Sequence, residues 1–327
     1  MNMKNFDYVG KSKLTAIIVT AIMLVGLAVN LIFGVELDIN FKGGTLIKYA
    51  YSGEVDLEAF EKFASDTTKV DLDATFSKSG DDTVIELSTT KELDLDTMDK
   101  LETAAKKEYK DNKLELLSSN SLNATMSRKF FIKCLVAVLL AIVFLLVYIA
   151  LRFKNIGGLS AGAMAVTALI NDLLIAYFSF VIFRIPLNDN FVAVLLTILG
   201  YSLNATLVIF DRIRENRRLM VDSSIKDVVN TSIGQSFSRT FNTSLCTFAA
   251  IAVVAIVAWV MNVDSIISFA VPMMIGIVSG FFSSVFIAGP WWVGLFNKIE
   301  ARRAARPKKA GKAKAKAKNK KRKTTRL

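Results

Sequence analysis

Apolar residues gather in six runs, each about as long as the 20 residues a helix needs to cross a ~30 Å hydrocarbon core. The runs are Leu14–Phe33, Phe130–Leu151, Ile156–Phe183, Phe191–Phe210, Phe241–Met261 and Ile266–Phe296, spans 1 to 6. Span 6 is long enough to tilt or to continue along the interface, where Trp291 and Trp292 suit an aromatic belt. This pattern predicts a polytopic α-helical membrane protein with six transmembrane helices and one large polar insert after the first.

Inside the insert, residues 35–127, the period changes. Thr45–Tyr51, Val70–Ser77, Thr83–Thr89 and Leu114–Ser119 read as strands. Val55–Ser65 and Leu95–Tyr109 read as helices, the first with Leu57, Phe60, Phe63 and Ala64 near one face, the second with Met98, Leu101, Ala105 and Tyr109. The order β-α-β-β-α-β is that of a small ferredoxin-like α+β domain. Roughly 80 residues suffice for such a fold, with modest stability.

Charge sharpens the division. The 327 residues are 53% hydrophobic and carry +12 in total, but the two polar parts have opposite sign. Residues 35–127 hold 20 acidic and 11 basic side chains, net −9, while 298–327 hold 15 basic and one acidic, net +14. The predicted organisation is an N-terminus with span 1 (1–34), the α+β insert (35–127), spans 2–4 (128–210), a charged amphipathic connector (211–240), spans 5–6 (241–297) and a basic disordered tail (298–327). Lys4, Lys11, Lys13, Arg152, Lys154 and the arginines after span 4 lie on one side of the spans, so the positive-inside rule places both termini in the cytoplasm and the insert outside. Span 1 is long for a signal peptide and lacks a small-residue cleavage site, so it reads as an uncleaved span of a cell-membrane protein. Cys134 and Cys246 lie in apolar runs and give no disulfide framework. No nucleotide loop, metal-ligand cluster or nucleophile–base set is readable, which speaks against an enzyme and implies no cofactor.

Polar residues inside the spans are the candidate chemistry. Asn171-Asp172 sits near the centre of span 3, where an unpaired charged carboxylate costs ~2.5–3.5 kcal/mol on insertion scales. Asp172 therefore stays protonated, binds a cation, pairs with a base, or glues helices by hydrogen bonding. Asn204 in span 4 is either interhelical glue or a transport ligand. Gly200, Asn204, Leu207 and Asp211 share a helical stripe; Asp172 and Asn204, near mid-depth on consecutive antiparallel helices, can face each other. Arg239 enters span 5 beside Thr240 and Thr243, to snorkel toward headgroups or to face inward as a counter-charge.

Around these stand structural motifs. Asp211, Arg212, Arg214 and Glu215 close span 4 in mixed charge that anchoring does not require, and i,i+4 neighbours there can build a rigid corner. Ile225, Val228, Val229 and Ile233 then predict an interfacial amphipathic helix turning into span 5. Gly43-Gly44 permits a sharp reversal into the first strand. Gly158-x-x-x-Gly162 and Gly276-x-x-x-Gly280 read as close helix packing. The Lys-Ala alternation from Lys312 to Lys318 attracts anionic lipid or ribosomal RNA, or serves only as a solubilising tail.

Taken together, Phe41-Lys42-Gly43-Gly44-Thr45, Gly200-Tyr201-Ser202-Leu203-Asn204, Asp211-Arg212-Ile213-Arg214-Glu215-Asn216 and Ser238-Arg239-Thr240 resemble the SecF family of the bacterial Sec protein-translocation accessory complex. That family lies in the resistance–nodulation–division superfamily, and the resemblance covers nearly the whole chain before the tail. It implies a SecD partner supplying six further spans, association with the SecYEG channel and with YajC- or YidC-type membrane proteins, and ion-gradient-driven work on an exported polypeptide. Two positions depart from the family pattern. Asn40 stands where an Asp is usual, and Ala205 stands where a carboxylate commonly follows the span 4 asparagine. A relay through that carboxylate cannot run here unchanged, so Asp172, matching the acidic position of the family's span 3, or a SecD carboxylate must carry the load, or Na⁺ binds neutral oxygens. The alternative is a small-molecule or lipid exporter of the same superfamily; a third possibility is an anchor that recruits ribosomes through its tail.

Overall fold

The computed structural model describes residues 6–79 and 82–305. Residues 306–327, most of the basic tail, and Lys4 of the positive-inside argument lie outside the described residues. Among those described, six helical segments are long and apolar enough to span a membrane. They are α1 (Ser12–Phe33), α5 (Ala124–Arg152), α6 (Gly158–Ile182), α7 (Asp189–Leu219), α8 (Ile225–Val260) and a composite sixth, α9 (Asp264–Ser283), a π-helical turn (Ser284–Ala288) and α10 (Gly289–Ala305).

The bundle is built around α6 and α7. About half of their apolar windows is buried, 56% and 50%, against 6% for α1 and 11% for α5 and α8. Small residues make this possible, because without a Cβ or with only a methyl group helix backbones approach closely. A Cβ on Gly158 would lie 2.1 Å from the Ala150 carbonyl of α5, and one on Gly276 would lie 2.0 Å from Ile198 of α7. Both glycine pairs are packing devices, as their spacing suggests. The core at the end of the bundle that meets the N-terminal segment gathers Tyr8, Phe153, Phe210 and Trp292 around α6. Trp292 thus does not belong to an aromatic belt. Trp292 is fully buried and donates its indole N–H to Ser160 (3.0 Å), while Trp291 donates to Thr15 (3.2 Å).

The connector after span 4 also differs from expectation. Span 4 runs on as helix through the charged residues to Leu219, and the interfacial helix is not separate. Ile225–Val260 is one 36-residue helix, capped at its start by Ser224 accepting from the Asp227 N–H. The apolar face of Val228, Val229 and Ile233 packs against the bundle core and not against lipid, so nothing forces a break.

The insert forms one antiparallel sheet in the order β2-β3-β1-β4, from β1 (Gly44–Tyr51), β2 (Asp73–Ser79), β3 (Asp82–Thr89) and β4 (Glu115–Leu122). Helices α3 (Leu57–Thr68) and α4 (Leu95–Glu108) lie between them in sequence, giving the ferredoxin-like order. Asp56 and Asp94 start these helices by accepting backbone N–H groups of the first turn. Phe60 and Ala64 of α3 and Leu101 and Ala105 of α4 then bury against Ile47, Tyr49, Ile85 and Leu87 of the sheet.

Where the insert meets the bundle, geometry leaves no room for side chains. Gly43 and Gly44 have φ of 80° and 122°, conformations that L-residues with a Cβ avoid. Gly43 also lies under the first residue of α5, 2.4 Å from its Ala124 Cα to a hypothetical Cβ. The short helix α2 (Ile39–Lys42), capped by Asp38, takes a hydrogen bond from Ser127 of α5 at the Ile39 carbonyl (3.1 Å). One residue pair, Leu37 and Leu187, bridges span 1's exit to the loop between α6 and α7, beside the Arg184–Glu36 ion pair (2.6 Å).

Candidate functional site

Asp172 is fully enclosed in the bundle between α6, α7 and α9. Ser202 of α7 donates to its Oδ2 (2.5 Å), and so does Ser283 of α9 (2.6 Å). Its Oδ1 accepts from Ser279 of α9 (2.5 Å) and from the Asn171 carboxamide N–H (3.2 Å). These four donors match the roughly four acceptor sites of an ionised carboxylate. No Lys or Arg pairs with Asp172 among the described residues, so hydrogen bonds alone offset the cost of burying the group. The surroundings are themselves polar. Thr206 and Ser284 hydroxyls meet at 2.9 Å, and the Asn171 carboxamide oxygen is buried without a partner.

The expected pairing of Asp172 with Asn204 does not occur. Ser202 and Asn204 are two residues apart on a helix of 3.6 residues per turn, so they point to nearly opposite sides. Ser202 turns inward to the carboxylate; Asn204 is exposed and its side chain has no hydrogen-bond partner among the described residues. Gly200 lies on the same open face, with nothing within 4 Å of a hypothetical Cβ. Arg239 is not a counter-charge to Asp172 within this chain either. It is exposed on α8 and lines a cavity of about 630 Å³ at the junction with α7, together with Arg212, Arg218 and Glu215.

The span 4 exit is held by ion pairs one turn apart. Asp211 binds Arg214 (2.8 Å) and Arg152 of α5 (3.3 Å); Glu215 binds Arg212 (2.6 Å), which also donates to Gln235 of α8 (2.6 Å). The Arg214 and Arg212 pairs run i,i+3 within α7, while Arg152 and Gln235 tie α7 to α5 and α8. Asn216 adds a bond to Ser232 of α8 (2.8 Å). On the same side the N-terminal segment is clasped to α8. Lys226 donates to Asp7 (2.7 Å), Gly10 N–H caps it (2.8 Å), and Asn230 donates as well (2.8 Å), which together hold the Asp7 carboxyl down to about 2.

The serines around Asp172 are the part of this site that the sequence does not single out. Ser279 and Ser283 are i,i+4 in the apolar second half of α9, a polar stripe that does signal an inward-facing partner. Nothing in the sequence says which carboxylate that stripe meets.

Residues 101–298 match the sequence profile of the family described as protein export membrane protein SecD/SecF, C-terminal. The protein translocase subunit SecF of Borreliella burgdorferi is 36% identical over 217 residues, 66% of this chain and 68% of that protein. The SecF subunit of Calditerrivibrio nitroreducens is 31% identical over 290 residues, covering 88% of this chain and 93% of the relative. In fold, the chain is similar to the crystal structure of SecDF, a translocon-associated membrane protein from Thermus thermophilus. The TM-score is 0.74 at 24% identity over 90% of this chain, which spans 39% of that longer protein.

Proposed function

The chain belongs to the SecF family of protein translocase subunits, and from that premise we propose that it assists Sec-dependent export with a proton-linked carboxylate, Asp172, at its centre. The observation that carries this reading is a mid-membrane carboxylate with no basic partner among the described residues, encircled by four hydrogen-bond donors. Each protonation state of such a group has its own source of stability. Ionised, it is satisfied by its donors; neutral, it escapes the penalty of a buried charge. Ala205 is consistent with this assignment, because the carboxylate usual at that position is absent and Asp172 is the carboxylate that remains in the middle of the bundle.

The subunit works in the cytoplasmic membrane with both termini inside and the α+β domain outside. SecD supplies the other half of the bundle. The open face of α7 fits this role: Gly200 allows close helix approach and Asn204 offers a carboxamide for a partner helix. Arg239 lies toward the cytoplasmic end of the same surface, free to meet a SecD carboxylate. The SecYEG channel and the exported polypeptide complete the working assembly, YajC- and YidC-type proteins are further partners, and the basic tail meets anionic lipid or the ribosome.

The test is export into vesicles that hold the complex with SecD and SecYEG, with H⁺ and Na⁺ gradients imposed separately. Stimulation by the H⁺ gradient that disappears in Asp172→Asn supports the reading. Stimulation by Na⁺ alone, or an unaffected asparagine variant, removes it.

A further inference from the structure

Span 6 changes its hydrogen-bond register beside Asp172. The α-helix ends at Ser283 and a π-helical turn occupies Ser284–Ala288, a distortion that proteins keep mostly at functional positions. The Gly280 carbonyl lies where the register changes, and two donors compete for it. The Ser284 N–H is shared between the carbonyls of Gly280 and Phe281, and the Ser283 hydroxyl lies 3.2 Å from the same Gly280 oxygen. Ser283 therefore has two acceptors in reach, the Asp172 carboxylate at 2.6 Å and the Gly280 carbonyl. Back-bonding by a serine to the preceding turn is known to bend helices.

The donor count at Asp172 decides which acceptor is used. An ionised carboxylate takes all four donors. A neutral carboxyl must itself donate one hydrogen bond, so one of the four has to turn and become an acceptor. Of the three serine hydroxyls, Ser283 is the one with a second acceptor in reach among the described residues, while the Asn171 amide reaches only the Ser279 oxygen at 3.5 Å. The groups facing Asp172 from α7 and α9 are serine hydroxyls and from α6 the Asn171 amide; no charged side chain faces it from any of these helices.

We propose that Ser283 is a positioning residue that converts the protonation of Asp172 into a change of register at the π-turn of span 6. The step balances simply. A proton from the gradient adds to Asp172 Oδ2, the new O–H donates to Ser283 Oγ, and the Ser283 hydrogen swings from Oδ2 to the Gly280 carbonyl. There it displaces the shared Ser284 N–H toward the Phe281 carbonyl, an i→i−3 bond that tightens the backbone register where span 6 enters the π-turn. The turn is linked to span 1 and the N-terminal segment. The Phe286 carbonyl accepts from Thr15 of α1 (3.4 Å), and the Phe286 ring packs against Tyr8 (5.8 Å between centroids). Span 1 leads at its other end to the Gly43-Gly44 joint of the outer domain.

This inference rests on the reading of Asp172 as a proton site, and the experiment separates the two. Gly280-Phe281 is the single Gly-Phe pair in the sequence, so ¹³C-carbonyl glycine with ¹⁵N-phenylalanine in this chain alone selects the Gly280 carbonyl in NMR spectra of its membrane-embedded complex with unlabelled SecD. Infrared difference spectra of the same samples across a pH step report the carboxyl C=O band, assigned by its loss in Asp172→Asn. In the wild type the Gly280 resonance moves with the carboxyl band. Ser283→Ala is expected to hold the Gly280 resonance still and to displace the carboxyl band to higher wavenumber. Ser283→Thr, which keeps the hydroxyl, restores both. No wild-type carboxyl band overturns the proton site and this inference with it. A band that titrates while Gly280 stays still, or moves equally in Ser283→Ala, overturns the inference and leaves the proton site standing.

Discussion

Replacing Asp172 by asparagine preserves side-chain volume and removes the ionisable group, and its cost follows from the donor ring. The carboxylate accepts from Ser202, Ser279, Ser283 and the Asn171 amide. An asparagine at 172 offers one carbonyl oxygen with two acceptor sites and an NH₂ that itself donates. Two donors keep a partner. Of the other two, Ser283 can turn to the Gly280 carbonyl, leaving about one donor facing another donor. One unsatisfied buried group costs ~1–3 kcal/mol, so the variant should fold with a modest loss. Alanine strips the acceptor from all four donors and should cost at least ~3 kcal/mol by the same measure. The assay pairs denaturant unfolding in nanodiscs with export into vesicles, with and without an imposed H⁺ gradient. The asparagine variant should keep gradient-independent export and lose the gradient-stimulated component, whereas the alanine variant should also be visibly destabilised. An asparagine variant that retains full gradient stimulation would refute Asp172 as the titrating group. Equal stability of the two variants would refute the donor count.

Three further outcomes are expected. Asn204→Leu should leave unfolding unchanged, because the side chain is exposed and has no hydrogen-bond partner among the described residues, yet reduce co-purification of SecD; undiminished recovery would place the partner on another face. Gly44→Ala puts a Cβ 2.0 Å from the Thr89 carbonyl at φ 122° and should open the α+β domain to limited proteolysis. Gly53→Ala (φ 84°, nearest atom 3.6 Å) should cost only the ~1–2 kcal/mol of backbone strain, so equal protease sensitivity would contradict the steric account. Asp7→Asn should speed hydrogen exchange at the Val9 amide, which donates to Asn230. Because the Asp7 carboxyl is lowered from 3.8 to about 2 in the folded chain, the clasp is intact above the ordinary value and is lost as pH falls through about 2. Exchange at Val9 should therefore be unaffected by the clasp between pH 8 and 5; the pair is half-exposed, so its contribution stays below ~1 kcal/mol.

Much of the fold was legible because membrane and sheet impose simple periods. Lipid forces every backbone group of a span to bond within its own helix, so the apolar runs had to be helices. The alternation and amphipathic faces of 45–119 likewise fixed the strand and helix order, since Phe60, Ala64, Leu101 and Ala105 could bury only on one side. Periodicity was silent where helices outlast their apolar runs. Leu219 and Ile225, not Phe210 and Phe241, end and begin the helices, because charged residues continue a helix as readily as apolar ones once outside the membrane.

The sequence by itself determined the six spans, the α+β insert, the family-bearing motifs and the presence of a carboxylate at mid-depth. Only the tertiary structure decided what that carboxylate meets. A helical stripe tells which residues share a face, but not which helix that face is turned toward; the close approach of α9 to α7 at Gly276 and Gly280 makes that choice. It brings Ser279 and Ser283 to Asp172, turns Ser202 inward, and leaves Asn204 two residues on, facing out of the chain.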